Sequence, residues 1–221
     1  MLLAAVITGS LLTTAQIHVR DEPRHHNVFE NEFIRILDVH LAPGDTTLYH
    51  LHNTPSVFIT LANVKVGSQL TGQQPQKGAN LSSLTMYDPM ATPRIHRAWN
   101  EDTSWFHVMD IELIAGQSKN NISLPDVSTI KLNADEITTL FNEKLVTGYK
   151  LRFSKGQTMK LPVSRPGYLL VSTANALVDI TLNATIQHRN MKAGHYVWLD
   201  GKEVTTITTN SIADYILLQL K

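Results

Sequence analysis

Two histidines, His50 and His52, stand two residues apart after Gly44, and a third, His96, follows further along the chain. On a β-strand a two-residue spacing turns both imidazoles to one face. The neighbours suit a strand: Leu48 and Tyr49 precede the pair and the apolar stretch 57–61 follows it. Two imidazoles on one inward face, joined by a third from another strand, supply half of an octahedral metal shell. Neutral imidazole suits Fe(II), Mn(II), Zn(II), Ni(II) or Cu(II), with geometry rather than raw affinity choosing among them. The expected cofactor is one divalent transition metal held by His50, His52 and His96. The metal-free reading is a histidine-decorated strand.

Other residues near these positions carry weaker signals. In the stretch 105–112, alternation sets Trp105, His107, Met109 and Ile111 on one face and Phe106, Val108, Asp110 and Glu112 on the other. His107 then has two readings: a proton-moving group facing a barrel interior, or a hydrogen-bonded strand histidine. Arg94 and Arg97 flank His96 and suit a carboxylate substrate, or simply a solvated surface. His40 lies between Val39 and Leu41 and is expected to face solvent. His25 and His26 read as a polar lead-in to the first strand, with a flap near the site as the alternative. Tyr49 points away from the histidine pair, and Trp99 and Trp105 are expected in the core.

Composition narrows the classes of function. The chain has 221 residues, 43% hydrophobic and 17% charged, with formal net charge zero. That is enough for one large β domain or two small ones. There is no basic run to track a phosphate backbone, so no nucleic-acid partner is expected. Cysteine is absent, which removes disulfides, thiolate metal sites and cysteine nucleophiles together. No G-x-S-x-G, P-loop, G-x-G-x-x-G or H-E-x-x-H occurs. Residues 1–16 are uncharged and apolar, ending in small residues, and resemble a signal peptide without its basic start. Export to the periplasm or outside is the expectation, with a first strand of a cytoplasmic protein as the alternative. No later stretch reaches the ~18 apolar residues of an integral membrane span.

The elements that must position the histidines come in two sets. Residues 29–44 align without a gap on residues 141–156, Phe on Phe and Gly on Gly. A single distant repeat indicates a duplicated domain rather than a solenoid. Stretches 33–41, 57–61, 106–113, 149–153 and 177–182 are short, rich in β-branched or aromatic residues, and punctuated by Gly, Pro, Asn and Asp. Only 133–141 reads as a helix, with Asn133 as N-cap and Glu136 near a capping-box position. The polar stretch 116–130 reads as a linker between domains at 20–115 and 131–221.

With these residues in view, the first half resembles the cupin family. Gly44, five residues, then His50-Leu51-His52 matches the first cupin motif, and His96, three residues, then Asn100 matches the end of the second, with Pro93 just upstream. The resemblance implies an all-β fold of two tandem cupin-type jelly-roll β-barrels, a bicupin. The family's glutamate ligand falls at Ser56 or Val57, so the implied site is a three-histidine site, similar to that of a minority of metal-binding cupins that includes the thiol dioxygenases. Without the carboxylate such a site keeps its full positive charge and suits an anionic, chelating substrate with O₂ or water. In the second half the histidine positions fall at Pro162 and Ser164 and at Val204 or Thr206, so that half is expected to lack metal ligands.

Two functions follow from the resemblance. One is a small-molecule dioxygenase or isomerase using the three-histidine metal site, with His107 as proton carrier. The other is a non-catalytic, exported bicupin that binds or senses a small ligand. Cupin halves pair through outer strands, so the second half can pack on the first or on another chain as a homodimer.

Overall fold

The structure, a computed structural model, describes residues 17–82, 84–114 and 136–221. The proposed signal peptide and linker lie outside the described residues, as does the start of the expected helix. The first half contains β1 (Ile17–His18), β2 (His25–Glu30), β3 (Ile34–Leu41), β4 (His50–His52), β5 (Ser56–Thr60), β6 (Val64–Leu70), β7 (Gln76–Leu81), β8 (Thr85–Asp88), β9 (Arg94–Asn100) and β10 (Phe106–Leu113). They form two sheets, ordered β1-β4-β9-β6-β7 and β2-β3-β10-β5-β8. The second half contains β11 (Glu136–Asn142), β12 (Val146–Phe153), β13 (Thr158–Leu161), β14 (Tyr168–Ser172), β15 (Ala176–Leu182), β16 (Thr185–Met191), β17 (Tyr196–Leu199), β18 (Thr205–Thr209) and β19 (Ala213–Leu220). Its sheets run β11-β12-β19-β14-β17 and β13-β18-β15-β16, the same winding as the first half.

The sequence repeat is a structural one. The gapless alignment lays β3 end for end on β12. The preceding strands break register at matching places, between Asn27 and Phe29 and between Thr139 and Phe141. Gly44 and Gly156 both take left-handed backbone, with φ of +76° and +84°, where a side chain would be strained. Residues 136–142 are therefore strand, not the helix expected over 133–141. Pairing with β12 outweighs the local capping signal, because β11 must fill the sheet position that β2 fills in the first half.

Phe141 shows what that pairing gains. Its ring lies over Gly148 on β12, where an added Cβ would come within 2.3 Å of the ring. Gly148→Ala is expected to destabilise the chain by about 1–3 kcal/mol, the usual cost of overpacking, read as a fall in thermal midpoint.

The two halves pack sheet against sheet. Ile34, Ile36, Val57, Ile59, Met109 and Ile111 from the first half meet Val146, Leu169, Val171, Ile216, Leu218 and Leu220 from the second in one buried cluster. At its margin Phe33 stacks on Trp198 with ring centroids 6.1 Å apart, and the Tyr196 hydroxyl donates to the Val28 carbonyl at 2.8 Å. The central strands β3 and β10 are thus buried on both faces. One face of β10, with Met109 and Ile111, docks the second half. The other, with Phe106, Val108 and Asp110, lines the first barrel.

The barrels are filled differently. Phe153, Met159, Leu161, Tyr168, Ile180 and Tyr215 pack the interior of the second. The interior of the first is partly polar: Arg35 donates to Glu112 at 2.5 Å and to Glu30 at 2.8 and 3.0 Å. No helix among the described residues is long and apolar enough to cross a membrane.

Candidate metal centre

β4 is only three residues long, and both of its histidines point into the first barrel, buried to 1% and 3% exposure. β9 runs antiparallel beside it with His96 directly opposite His50. The three rings form a near-equilateral group, with centroids 4.7, 4.9 and 4.9 Å apart. The structure therefore brings together all three histidines that the sequence singles out.

A fourth histidine completes the cluster. His25, at the start of β2, is buried, and its ring centroid lies 4.7 Å from that of His50 and 6.3 Å from that of His52. Ligating nitrogens of His25, His50 and His52 all lie within 4.8 Å of one another. The lead-in reading is corrected: both histidines lie in β2, His25 turned to the cluster and His26 exposed. Of two adjacent histidines on a strand one must turn inward. That alternation, together with Glu22 three residues earlier, was the available signal.

Backbone and carboxylate groups fix how the rings present their nitrogens. The Leu48 carbonyl can only accept, so His50 Nδ1–H donates to it at 2.8 Å and leaves Nε2 with a free lone pair. Glu22 is 1% exposed. Burial raises its pKa, but hydrogen bonds from His25 and from the Leu48 and Arg24 amides outweigh that, so its carboxyl is held below the usual range. Its Oε2 accepts from His25 Nδ1–H at 2.7 Å, which frees the Nε2 of His25 as well. Glu22 thus orients His25 directly and, through the Leu48 amide, steadies the segment that aims His50.

Burial, and then the charge of neighbouring histidines, keeps His50, His52 and His96 neutral. The pKa of His50 is held down to about 4 and that of His96 to about 3, and His52 is lowered further still. Neutral imidazole is the metal-binding form. The Nε2 atoms of His50 and His52 lie 3.0 Å apart. Two nitrogens each about 2.1 Å from one ion, at right angles, are separated by about that distance. Behind His52, the Oδ2 of Asp110 stands 3.6 Å from Nδ1. The hydroxyl of Ser56 is spent on the Thr54 carbonyl at 3.1 Å, and both Asp110 oxygens lack a hydrogen-bond partner. Burial, with Glu112 nearby, pushes the pKa of Asp110 up to about 8. These residues fit a divalent metal: neutral nitrogens converge, and carboxyls stand behind two of the rings.

The cluster opens on a pocket of about 400 Å³ with largely apolar walls, among them Phe58, Val66, Leu81, Met86 and Phe106. Arg94 lines this pocket and pairs with Asp88 at 2.7 Å. Arg97 alternates to the outer surface, donating to Gln69 at 3.0 Å and lying over the Tyr49 ring at 5.2 Å. Asn100, matched to the second motif, donates to the Leu41 and Ser104 carbonyls and so shapes the turn before β10. Trp105 is 61% exposed and Trp99 covers Gly67, so neither belongs to the core.

His107 is not brought to the pocket. It lies on the other face of β10, where its Nε2 meets Asp38 Oδ1 at 2.7 Å and its ring stacks on His40 at 4.0 Å. The alternation was read correctly, but the apolar face of β10 docks the second half while the polar one faces the barrel interior. His40 likewise joins Asp38, at 3.1 Å, rather than standing free in solvent. Among the described residues, the groups able to hold a metal lie in the first half.

No protein-family model and no curated protein matches the sequence. Solved structures do match in fold. Salicylate 1,2-dioxygenase from Pseudaminobacter salicylatoxidans superposes with a TM-score of 0.60 at 10% identity, over 87% of this chain and 72% of that one. AerE from Microcystis aeruginosa gives 0.56 at 12%, over 90% and 98%. YhaK from Escherichia coli gives 0.53 at 12%, over 88% and 90%. The chain therefore has the fold of the cupin superfamily, doubled into a bicupin, with a histidine-lined pocket in its first barrel.

Proposed function

We infer that the chain is a metal-dependent bicupin acting on a small organic anion by dioxygenase-type chemistry in the first barrel, with His50, His52 and His96 as metal ligands and His25 as a fourth. The observation that carries this reading is the 3.0 Å approach of two Nε2 atoms among buried, neutral imidazoles. The fold neighbour named as a salicylate dioxygenase supports the reaction class by analogy only.

A divalent transition metal would supply Lewis acidity and, if redox-active, electrons for O₂ chemistry. The chain supplies the rest. The apolar walls exclude water and receive the body of the substrate. Arg94 offers the guanidinium that pairs with a carboxylate, exchanging its partner Asp88 for the substrate. Asp110 stands 3.6 Å behind His52 Nδ1, on the side away from the Nε2 that faces His50. His107 is too far round the sheet to serve as the proton carrier here.

The test is oxygen uptake by protein stripped with a chelator and reloaded with Fe(II), Mn(II), Ni(II), Cu(II) or Zn(II), screened against hydroxy- and keto-acids. Uptake restored by one redox-active metal supports the reading. Metal binding with ligand-induced stabilisation but no turnover with any metal would replace it by the non-catalytic binder. Arg94→Ala is expected to weaken a carboxylate probe such as benzoate about 10-fold by calorimetry, the loss of one charge-assisted contact.

A further inference from the structure

A second group of metal-binding residues lies outside the barrel. β3 and β10 pair antiparallel with His40 directly opposite His107, and Asp38 sits two residues back on the same face as His40. Each oxygen of Asp38 faces one imidazole: Oδ1 is 2.7 Å from His107 Nε2, and Oδ2 is 3.1 Å from His40 Nε2. Donor atoms of all three residues lie within 4.8 Å of one another. This face of the sheet is otherwise apolar and docks the second half, so three polar groups here need a reason.

The second half builds the opposite wall. The turn between β16 and β17 comes down on the cluster through Gly194, whose φ is +85°. A Cβ there would stand 2.6 Å from His107 Cε1 and 3.1 Å from its Nε2. A cleft of about 320 Å³ opens beside it, lined by Asp38, Asn190, Gly194 and His195 among others. His40 and His107 keep 38% and 18% of their side-chain surface exposed, so an ion can reach them.

We propose that Asp38, His40 and His107 form a second divalent transition-metal site at the junction of the two halves, distinct from the barrel centre. Two imidazoles and one carboxylate are a donor set for Zn(II), Fe(II), Mn(II) or Ni(II), with the cleft side left open. An ion there clips β3 to β10 beneath the turn of the second half that carries Gly194.

The test is Zn(II) binding to chelator-stripped, full-length protein, counted by equilibrium dialysis and elemental analysis. It does not rest on the barrel reading. His50→Ala/His52→Ala removes the barrel centre, and this variant is expected to keep about one equivalent and to show a zinc-dependent rise in thermal midpoint. Adding His40→Gln, at a half-exposed position, is expected to abolish both. Zinc that is absent from the double variant, or retained unchanged after His40→Gln and Asp38→Asn alike, overturns the proposal. A parent that binds one equivalent, lost with His40→Gln but not with His50→Ala/His52→Ala, upholds the junction site and removes the barrel one.

Discussion

The His50→Ala/His52→Ala variant is expected to lose metal affinity at the barrel centre by about 100-fold or more, because it removes two first ligands where outer partners alone are worth about 10–100-fold. His96→Ala should come close to the same loss, since His96 faces His50 directly across β4 and β9. His25→Ala should cost less, about 10-fold, as a fourth nitrogen aligned by a buried carboxylate. Competition against a metal-sensing dye reads all three variants on one scale. Equal losses in His25→Ala and His96→Ala would make His25 a full ligand. No loss at His25 would leave a three-histidine centre with Glu22 serving only the fold. Unchanged affinity in the double variant would remove the barrel metal altogether.

The second large effect is on stability. Ile111 is fully buried where the two sheets meet, and its side chain belongs to the cluster shared by both halves. Ile111→Ala is expected to cost about 2–5 kcal/mol, the transfer free energy of the lost groups plus the cavity they leave. In a chain of this size that lowers the thermal midpoint by roughly 5–15 °C. Because the same contacts join the halves, calorimetry should show one transition moving down as a unit. If a separate early transition appears instead, the halves are stable without each other and the junction contributes little. Thr103→Ala, at an exposed turn before β10, serves as the control and should stay within about 0.5 kcal/mol.

The shared junction also explains which features could be read from the residues in order. His50, His52 and His96 were legible because a period of two on a strand and a second motif at a set distance are local properties. The repeat was legible too, since the same turn glycine and the same strand returned in the second half, down to the matching register breaks beside Phe29 and Phe141. The all-β class followed from short strand-rich stretches punctuated by Gly, Pro, Asn and Asp.

What the sequence alone determined, then, was which side chains share a strand face and that the strands come in two like sets. Which face turns inward was decided only by the tertiary structure. On β10 the apolar row, Met109 and Ile111, is spent on burying the second half, and so His107 leaves the pocket and Asp110 enters it. Residue type usually marks the interior, but here two sheets compete for the apolar face and the barrel accepts polar groups that the histidines can use. The same holds for His25, brought to the cluster by the pairing of β2 with β3 and aimed by Glu22. Long-range pairing and docking set those contacts, and a period of two along a strand carries no record of them.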